Sequence, residues 1–360
     1  MPTFRPDLET IPRYVPGKPV EEVARELGVD SIGKLASNEC PEPPFPEVID
    51  AITEAGTAIN RYPDSSGYEL TMAIAAHQGV SRSNVWVGSG SSEILRCIAL
   101  SVGGPNTSAV FAAPSFIMYT IGTLVAGSEA ITVPLTETFD HDLDAMLAAV
   151  RDDTNVLYVC NPNNPTGGIR SGSDVRGLLD QVPQRVTVVI DEAYAEYATD
   201  PSYESMIDEA VTRPNVIVAR TFSKIYGLAG LRVGYAIGDE ELLNRVRTTQ
   251  APFSVNTVAQ SAAIEALRHQ HRVAERRDAN EKGRQDLITG FAERGVNVAS
   301  TQANFVYFEP DASASALHDE LLRQGVIVRS LGQGIRVTVG TREENARMFA
   351  AWDAVANQHA

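Results

Sequence analysis

Short runs of apolar and β-branched residues alternate with helical patterns through the middle of the chain. Six such runs predict strands, over 85–87, 108–112, 130–133, 156–160, 187–190 and 216–219. Between them, apolar residues recur at helical spacing over 91–102 and 174–182, which is typical of helices that pack on a sheet. Strands and helices that alternate in this way predict an α/β fold with a mainly parallel sheet.

The pattern changes after Pro252. A long stretch rich in arginine and glutamate, 258–294, predicts a helix that leads to a second domain. Beyond it we expect a strand at 304–308, a helix at 314–324 and strands at 326–329 and 335–339. The first 35 residues are irregular and rich in proline, so we expect them to lie over their own domain or over a partner subunit. The prediction is an N-terminal segment (1–35), a large domain (36–255) and a smaller α/β C-terminal domain (256–360).

Composition narrows the classes of function. The 360 residues carry a net charge of −16, which disfavours nucleic-acid binding because the phosphate backbone must be met by a cationic face. The three cysteines, Cys40, Cys97 and Cys160, form no CxxC pair, so neither a disulfide framework nor a cysteine-ligated metal is expected. The N-terminus resembles no signal peptide and contains no long apolar run, which predicts a cytoplasmic protein that does not enter a membrane.

One lysine stands apart. The chain has 26 arginines and four lysines, and Lys224 is the single lysine between residues 35 and 281. It follows the strand at 216–219 and is surrounded by small and hydroxylic residues. Beside apolar groups and Arg232 its pKa should be lowered, as Schiff-base chemistry requires. The alternative is an ordinary surface lysine.

Three further loops follow predicted strands. Residues 88–92, GSGSS, precede a helix and suit a phosphate cradle, or merely a tight turn. The proline-rich loop 161–168, NPNNPTGG, lies at the strand edge where α/β sheets bind ligands. Asp191 ends an apolar strand and needs a positive partner, unless it caps the next helix. In chain order these features match a cofactor with a phosphate, a ring oxygen, a ring nitrogen and an aldehyde.

With these motifs the sequence resembles the fold-type I, pyridoxal-phosphate-dependent aminotransferases, and among them the histidinol-phosphate aminotransferase family. The resemblance covers nearly the whole chain. The motifs that carry it are YVPGKP (14–19), KLASNE (34–39), RYPD (61–64), SKIYGLAGLR (223–232) and IRVTVGT (335–341). It implies a large domain with a mainly parallel seven-stranded sheet, a smaller α/β C-terminal domain and the cofactor pyridoxal 5′-phosphate.

The resemblance also implies residue roles. Lys224 would hold the cofactor as a Schiff base, and Asp191 would pair with its ring nitrogen. The ring oxygen would be bound by Asn164 and Tyr194, and the ring face would be covered by Phe116. The cofactor phosphate would be met by Ser91, Ser92, Ser223, Arg232 and, from the neighbouring subunit, Tyr62, which implies a homodimer with composite active sites. Arg336 would clamp the substrate α-carboxylate, and substrate would also meet Tyr14, Asn38 and Arg329.

The implied reaction moves an amino group from L-histidinol phosphate to 2-oxoglutarate, with ping-pong kinetics. The chain departs from the family at Cys40, where asparagine is common, at Phe116, where related enzymes have tyrosine, and in the glycine loop. Two alternatives stay open at this point: an aromatic amino acid aminotransferase, and a nucleotide-dependent dehydrogenase that uses the glycine loop.

Overall fold

A computed structural model describes residues 3–14, 17–28 and 32–359. Val15 and Pro16 of the YVPGKP motif therefore lie outside the described residues. The described chain forms the helices α1 (Val20–Leu27), α2 (Pro46–Gly56), α3 (Tyr68–Gln78), α4 (Ser91–Val102), α5 (Met118–Ala126), α6 (Leu143–Ala148), α7 (Gly172–Gln181), α8 (Ile207–Thr212), α9 (Glu240–Val246), α10 (Thr257–Arg268), α11 (Gln270–Ala292), α12 (Ala314–Arg323) and α13 (Arg342–His359). Its strands are β1 (Gly33–Lys34), β2 (Val85–Gly88), β3 (Ser108–Ala113), β4 (Glu129–Pro134), β5 (Thr154–Cys160), β6 (Thr187–Asp191), β7 (Val216–Thr221), β8 (Gly234–Gly238), β9 (Phe305–Phe308), β10 (Val326–Ile327), β11 (Arg329–Leu331) and β12 (Gly334–Thr338).

A seven-stranded sheet of order β2-β8-β7-β6-β5-β3-β4 forms the centre of the molecule. Its neighbours are parallel except around β8, which is antiparallel to both β2 and β7. The six strands that the apolar runs predict are all present, and the seven-stranded sheet that the resemblance implies is confirmed. The runs alone did not predict β8, because glycines stand at both of its ends and weaken the strand pattern.

Two apolar cores cover the faces of this sheet. Alternate residues of each strand belong to opposite cores, as Leu157 and Tyr158 in β5 show, because successive side chains in a strand point to opposite faces. Helix α4 packs into one core through Ile94 and Ile98, and α7 packs into the other through Leu178. Burial on both faces explains why the strands are continuously apolar.

The C-terminal layer has its own core around the antiparallel sheet β11-β12-β9 and helices α11, α12 and α13. The N-terminal segment joins it, since β1 pairs in parallel with β10 and Leu35 belongs to this core. Val23 of α1 packs on Ala36 and Ile327. Helix α1 and strand β1 therefore cover a surface of the same chain, whereas Phe4 and Leu8, which precede them, are exposed.

Two predictions for the C-terminal part of the chain were wrong in detail. The predicted helix 258–294 is two helices that meet at His269, whose φ of −109° and ψ of 50° are not helical. The chain turns there because the alanines of α10 pack into the large core, whereas Leu287 and Phe291 of α11 pack into the C-terminal core. The predicted strand 326–329 is divided between β10 and β11, which belong to different sheets.

The domain limits 1–35, 36–255 and 256–360 stay a prediction, although the packing of α10 shows that the large core continues beyond residue 256. Within the described part of the chain, no helix combines the length and apolar character needed to cross a membrane.

Candidate active site

A cavity of about 400 Å³ opens where the carboxyl edge of the large sheet meets the C-terminal layer. The register explains why the predicted loops meet there. Cys160 lies beside Asp191 and Asp191 lies beside Ala219, so β5, β6 and β7 end at one edge. The predicted site residues that line the cavity are Tyr14, Asn38, Ser91, Ser92, Phe116, Asn164, Asp191, Tyr194, Ser223, Lys224, Arg232, Arg329 and Arg336.

Tyr62 lies apart from these residues. Its side chain is 82% exposed, and its ring stacks on Phe253 with the ring centroids 4.6 Å apart. It belongs to a surface depression that residues 59–63 form with 256–258. The structure therefore places Tyr62 on an outer face of the chain, away from the cavity that the other predicted residues line.

The glycine loop forms one end of the cavity. Helix α4 begins at Ser91, directly after Gly90, whose φ is +76°. A Cβ at Gly90 would lie 2.4 Å from an η nitrogen of Arg232, so only glycine leaves room for the guanidinium. Arg232 donates to the Ser223 Oγ at 3.3 Å. The free N–H groups at the N-terminus of α4, the hydroxyls of Ser91, Ser92 and Ser223 and the guanidinium of Arg232 together suit an anion. We call this group the anion cradle.

Asp191 ends β6 beside this anion cradle. It is 1% exposed and accepts hydrogen bonds from the Tyr119 hydroxyl at 2.8 Å and from the backbone N–H of Ala193 at 3.2 Å. Burial raises the pKa of its carboxyl to about 6. Among the described residues, no lysine or arginine lies within ion-pair distance of Asp191. A buried carboxylate that lines a cavity and has no ion-pair partner suits a ligand with a cationic group.

Lys224 reaches into the same space from the loop after β7. Its Nζ donates to the Ser37 backbone oxygen at 3.3 Å and lies 5.6 Å from the centre of the Tyr194 ring. Burial, followed by the positive charge of Arg336, lowers the pKa of the amine to about 7. A large share of Lys224 is therefore neutral near pH 7, which is the form that attacks a carbonyl carbon.

Hydrogen bonds join the two layers across the cavity. The Asn38 amide donates to the Tyr194 hydroxyl oxygen at 2.9 Å. Arg336 of β12 donates to the Asn164 side-chain oxygen and, at 2.6 Å, to the Ala36 backbone oxygen. Its Nε is buried without a partner in the described structure. The C-terminal layer thus contributes a buried guanidinium that retains a donor for a ligand.

A second arginine, Arg329, lies beside Arg336. Arg329 and Arg336 are register partners across β11 and β12, so their side chains leave the same face of the small sheet. Burial and the neighbouring Arg329 charge lower the pKa of Arg336 to about 10. The Arg329 guanidinium lies 6.0 Å from the centre of the Tyr14 ring. Two adjacent guanidinium groups at one end of a cavity suit a doubly charged anion.

The structure also brings in residues that the sequence analysis missed. Tyr119 bonds to Asp191, and the Cys160 thiol lines the cavity. The position of Tyr119, one helical turn after Phe116, could have marked it as a site residue. Its apolar neighbours in α5, however, are typical of a helix in the protein core. Glu192, which follows Asp191, is buried and forms an ion pair with Arg220 at 2.7 Å, and it does not line the cavity.

Comparison with known proteins decides the family. The model of the aminotransferase class I and II family matches residues 31–351. This chain belongs to that family. The aminotransferase is 43% identical to histidinol-phosphate aminotransferase of Moorella thermoacetica, an alignment that covers 98% of this chain and 92% of that protein. It is 42% identical to histidinol-phosphate aminotransferase 2 of Pseudomonas fluorescens strain Pf0-1, over 96% of this chain and 95% of that one.

A solved structure supports the same family assignment. The aminotransferase superposes with a TM-score of 0.92 on the crystal structure of histidinol-phosphate aminotransferase from Sinorhizobium meliloti in complex with pyridoxal-5′-phosphate. The two chains are 29% identical, and the match covers 99% of this chain and 98% of that chain. The fold predicted from the resemblance is confirmed, and the dehydrogenase alternative for the glycine loop is set aside.

Proposed function

We propose that this aminotransferase moves the amino group of L-histidinol phosphate to 2-oxoglutarate, forming imidazole acetol phosphate and L-glutamate in histidine biosynthesis. The names of relatives more than 40% identical along almost their full length support this reaction. The observation that carries it is the pair Arg329 and Arg336 at one end of the cavity. Histidinol phosphate carries a doubly charged phosphate monoester where an amino acid carries its carboxylate, and 2-oxoglutarate carries two carboxylates. Two guanidinium groups can bind the anionic groups of both substrates.

Pyridoxal 5′-phosphate fits the residues of the cavity. Ser91, Ser92, Ser223 and Arg232, at the N-terminus of α4, would hold its phosphate, and the buried carboxylate of Asp191 would hold its ring nitrogen. A protonated ring nitrogen would give Asp191 an ion-pair partner, which the described residues do not supply. When bound, the cofactor supplies an aldehyde carbon for amine exchange and a ring that accepts electron density.

Hydrogen bonds already made in the protein orient the donors for the ring oxygen. The Asn164 side-chain oxygen accepts from Arg336, which leaves the amide nitrogen of Asn164 to donate. The Tyr194 hydroxyl oxygen accepts from Asn38, which leaves the hydroxyl proton to donate. Both donors line the cavity, where Phe116 offers a ring face for stacking.

Lys224 is the residue that moves protons. The amine is partly neutral near pH 7 because burial and Arg336 lower its pKa to about 7. With its amine free, Lys224 Nζ would take the proton from the substrate α-carbon and deliver it to the cofactor carbon that carried the aldehyde, and it would move a proton in the opposite direction with the second substrate. Because the keto product leaves before the second substrate enters, the kinetics are expected to be ping-pong.

Tyr62 fits a homodimer with composite active sites. Its largely exposed ring stacks on Phe253, and Ile59 beside it is 68% exposed. Apolar side chains grouped on an outer face are typical of a surface that another protein covers. A second copy of the chain would cover these side chains. The Tyr62 hydroxyl would then reach the cofactor phosphate in the active site of that second copy. The location proposed for this enzyme is the cytoplasm.

Paired measurements of kcat/KM test the substrate. Histidinol phosphate and phenylalanine are compared as amino donors with 2-oxoglutarate as acceptor. We expect histidinol phosphate to be preferred by about 100-fold, because charge-assisted hydrogen bonds to a dianion exceed those to one carboxylate. A preference for phenylalanine would instead make the protein an aromatic aminotransferase. If the protein, freed of unbound pyridoxal 5′-phosphate, shows no visible absorption band that shifts on adding an amino donor, both assignments are wrong.

A further inference from the structure

Tyr119 is held more rigidly than its place in the sequence suggests. It is 1% exposed, and its ring stacks on Tyr158 with centroids 4.7 Å apart and planes 13° apart. Phe116 meets the ring edge-on at 5.8 Å, and Phe111 lies 6.0 Å away. Rings packed on several sides have one rotamer, so the hydroxyl of Tyr119 has a single position.

That position is beside Asp191. The Tyr119 hydroxyl donates to Oδ2 of Asp191 at 2.8 Å, while the backbone N–H of Ala193 donates to Oδ1 at 3.2 Å. Burial raises the pKa of Tyr119 well above its ordinary value, so the phenol keeps its proton and stays a donor. With one donor on each oxygen, the plane of the carboxylate is set before any ligand arrives.

The hydrogen bond also favours the charged form of Asp191. Burial acts in the opposite direction and is the larger effect, which is why the pKa of the carboxyl stands at about 6. The other titratable groups that face Asp191 come from several elements: Cys160 at the end of β5, Glu192 and Tyr194 after β6, and Lys224 after β7. Of these, Lys224 favours the carboxylate and Glu192 opposes it, whereas Tyr119 is the neutral side chain that donates to it.

We propose that Tyr119 is a positioning residue, which orients Asp191 and keeps it ionised so that it can pair with the cationic ring nitrogen of the cofactor. The proposal rests on the function proposed above. Tyr119 is not among the residues that line the cavity, so it acts through its hydrogen bond to Asp191.

Equilibrium binding of pyridoxal 5′-phosphate to the apoprotein tests this role, at several values of pH. In Tyr119→Phe the pKa of Asp191 rises, so a larger share of the carboxyl is protonated and unable to pair with the ring nitrogen. We expect the Kd to increase about 10-fold near pH 6.5 relative to wild type, and the ratio to fall to about 2-fold near pH 9, where Asp191 is ionised in both proteins.

Tyr158→Phe is the matched control. Tyr158 is the stacking partner of Tyr119 and equally buried, and no hydrogen bond of its hydroxyl is found among the described residues. The Tyr158→Phe variant should bind pyridoxal 5′-phosphate with the wild-type Kd at every pH. A second variant without the hydroxyl, Tyr119→Met, should repeat the pH-dependent loss if Tyr119→Phe folds poorly.

The outcomes separate this inference from the proposed function. Wild-type apoprotein that fails to bind pyridoxal 5′-phosphate would overturn the function itself. If wild type binds and Tyr119→Phe has the same Kd at all pH values, the positioning role is wrong. A loss that is equal at every pH, or that Tyr158→Phe shares, would show that Tyr119 only supports the packing of α5.

Discussion

The close approach of Arg232 to Gly90 allows a test of whether the anion cradle binds the cofactor phosphate. In Gly90→Ala the new Cβ would lie 2.4 Å from an η nitrogen of Arg232, so the guanidinium has to move. The backbone is also unsuited to alanine, because φ is +76° and ψ is 164° at this position. Conformations of this kind cost about 1–3 kcal/mol for residues other than glycine.

Gly79→Ala separates the two effects. Gly79 ends α3 with a φ of +71°, and a Cβ there meets nothing within 4 Å. Both variants should lose stability in thermal unfolding, by about 1 kcal/mol in Gly79→Ala. Only Gly90→Ala should also displace the guanidinium that would meet the cofactor phosphate.

Cofactor binding to the apoprotein is the decisive assay. A hydrogen bond to a charged group contributes about 1.5–3 kcal/mol, so the Kd for pyridoxal 5′-phosphate should rise about 10- to 100-fold in Gly90→Ala. In Gly79→Ala it should stay close to the wild-type value. Equal affinities in the two variants would refute the reasoning that Gly90 exists to admit Arg232 to the phosphate site.

Three further predictions follow from Lys224 and Arg329. Lys224→Ala should abolish amino transfer and retain weak, dialysable cofactor binding; turnover at the wild-type rate would contradict the role of the amine. Because the pKa of Lys224 is lowered to about 7, the rate at which the wild-type apoprotein takes up pyridoxal 5′-phosphate should rise about tenfold per pH unit below 7 and level off above it. A stopped-flow rate that keeps rising towards pH 10 would show an ordinary lysine. Arg329→Met should lower kcat/KM for histidinol phosphate about 10- to 100-fold and for phenylalanine much less, whereas Arg323→Met, at an exposed position, should change neither.

The sequence by itself determined most of the central sheet and the residues of the cavity. Continuous apolar runs identify strands buried on both faces, and parallel strands bring the loops at their carboxyl ends to one edge. That argument alone groups Ser91, Asn164, Asp191 and Lys224. The scarcity of lysine then singled out Lys224 without any structural information. These are local properties, which composition and spacing record directly.

Only the tertiary structure decided how distant segments meet. The bond from Arg336 to Asn164 across 172 positions and the pairing of β1 with β10 both join residues far apart in the chain. The break at His269 and the bond of Tyr119 to Asp191 have the same origin. Apolar spacing shows that a side chain is buried, but which polar group it meets depends on how whole elements pack, and that is settled by the three-dimensional fold.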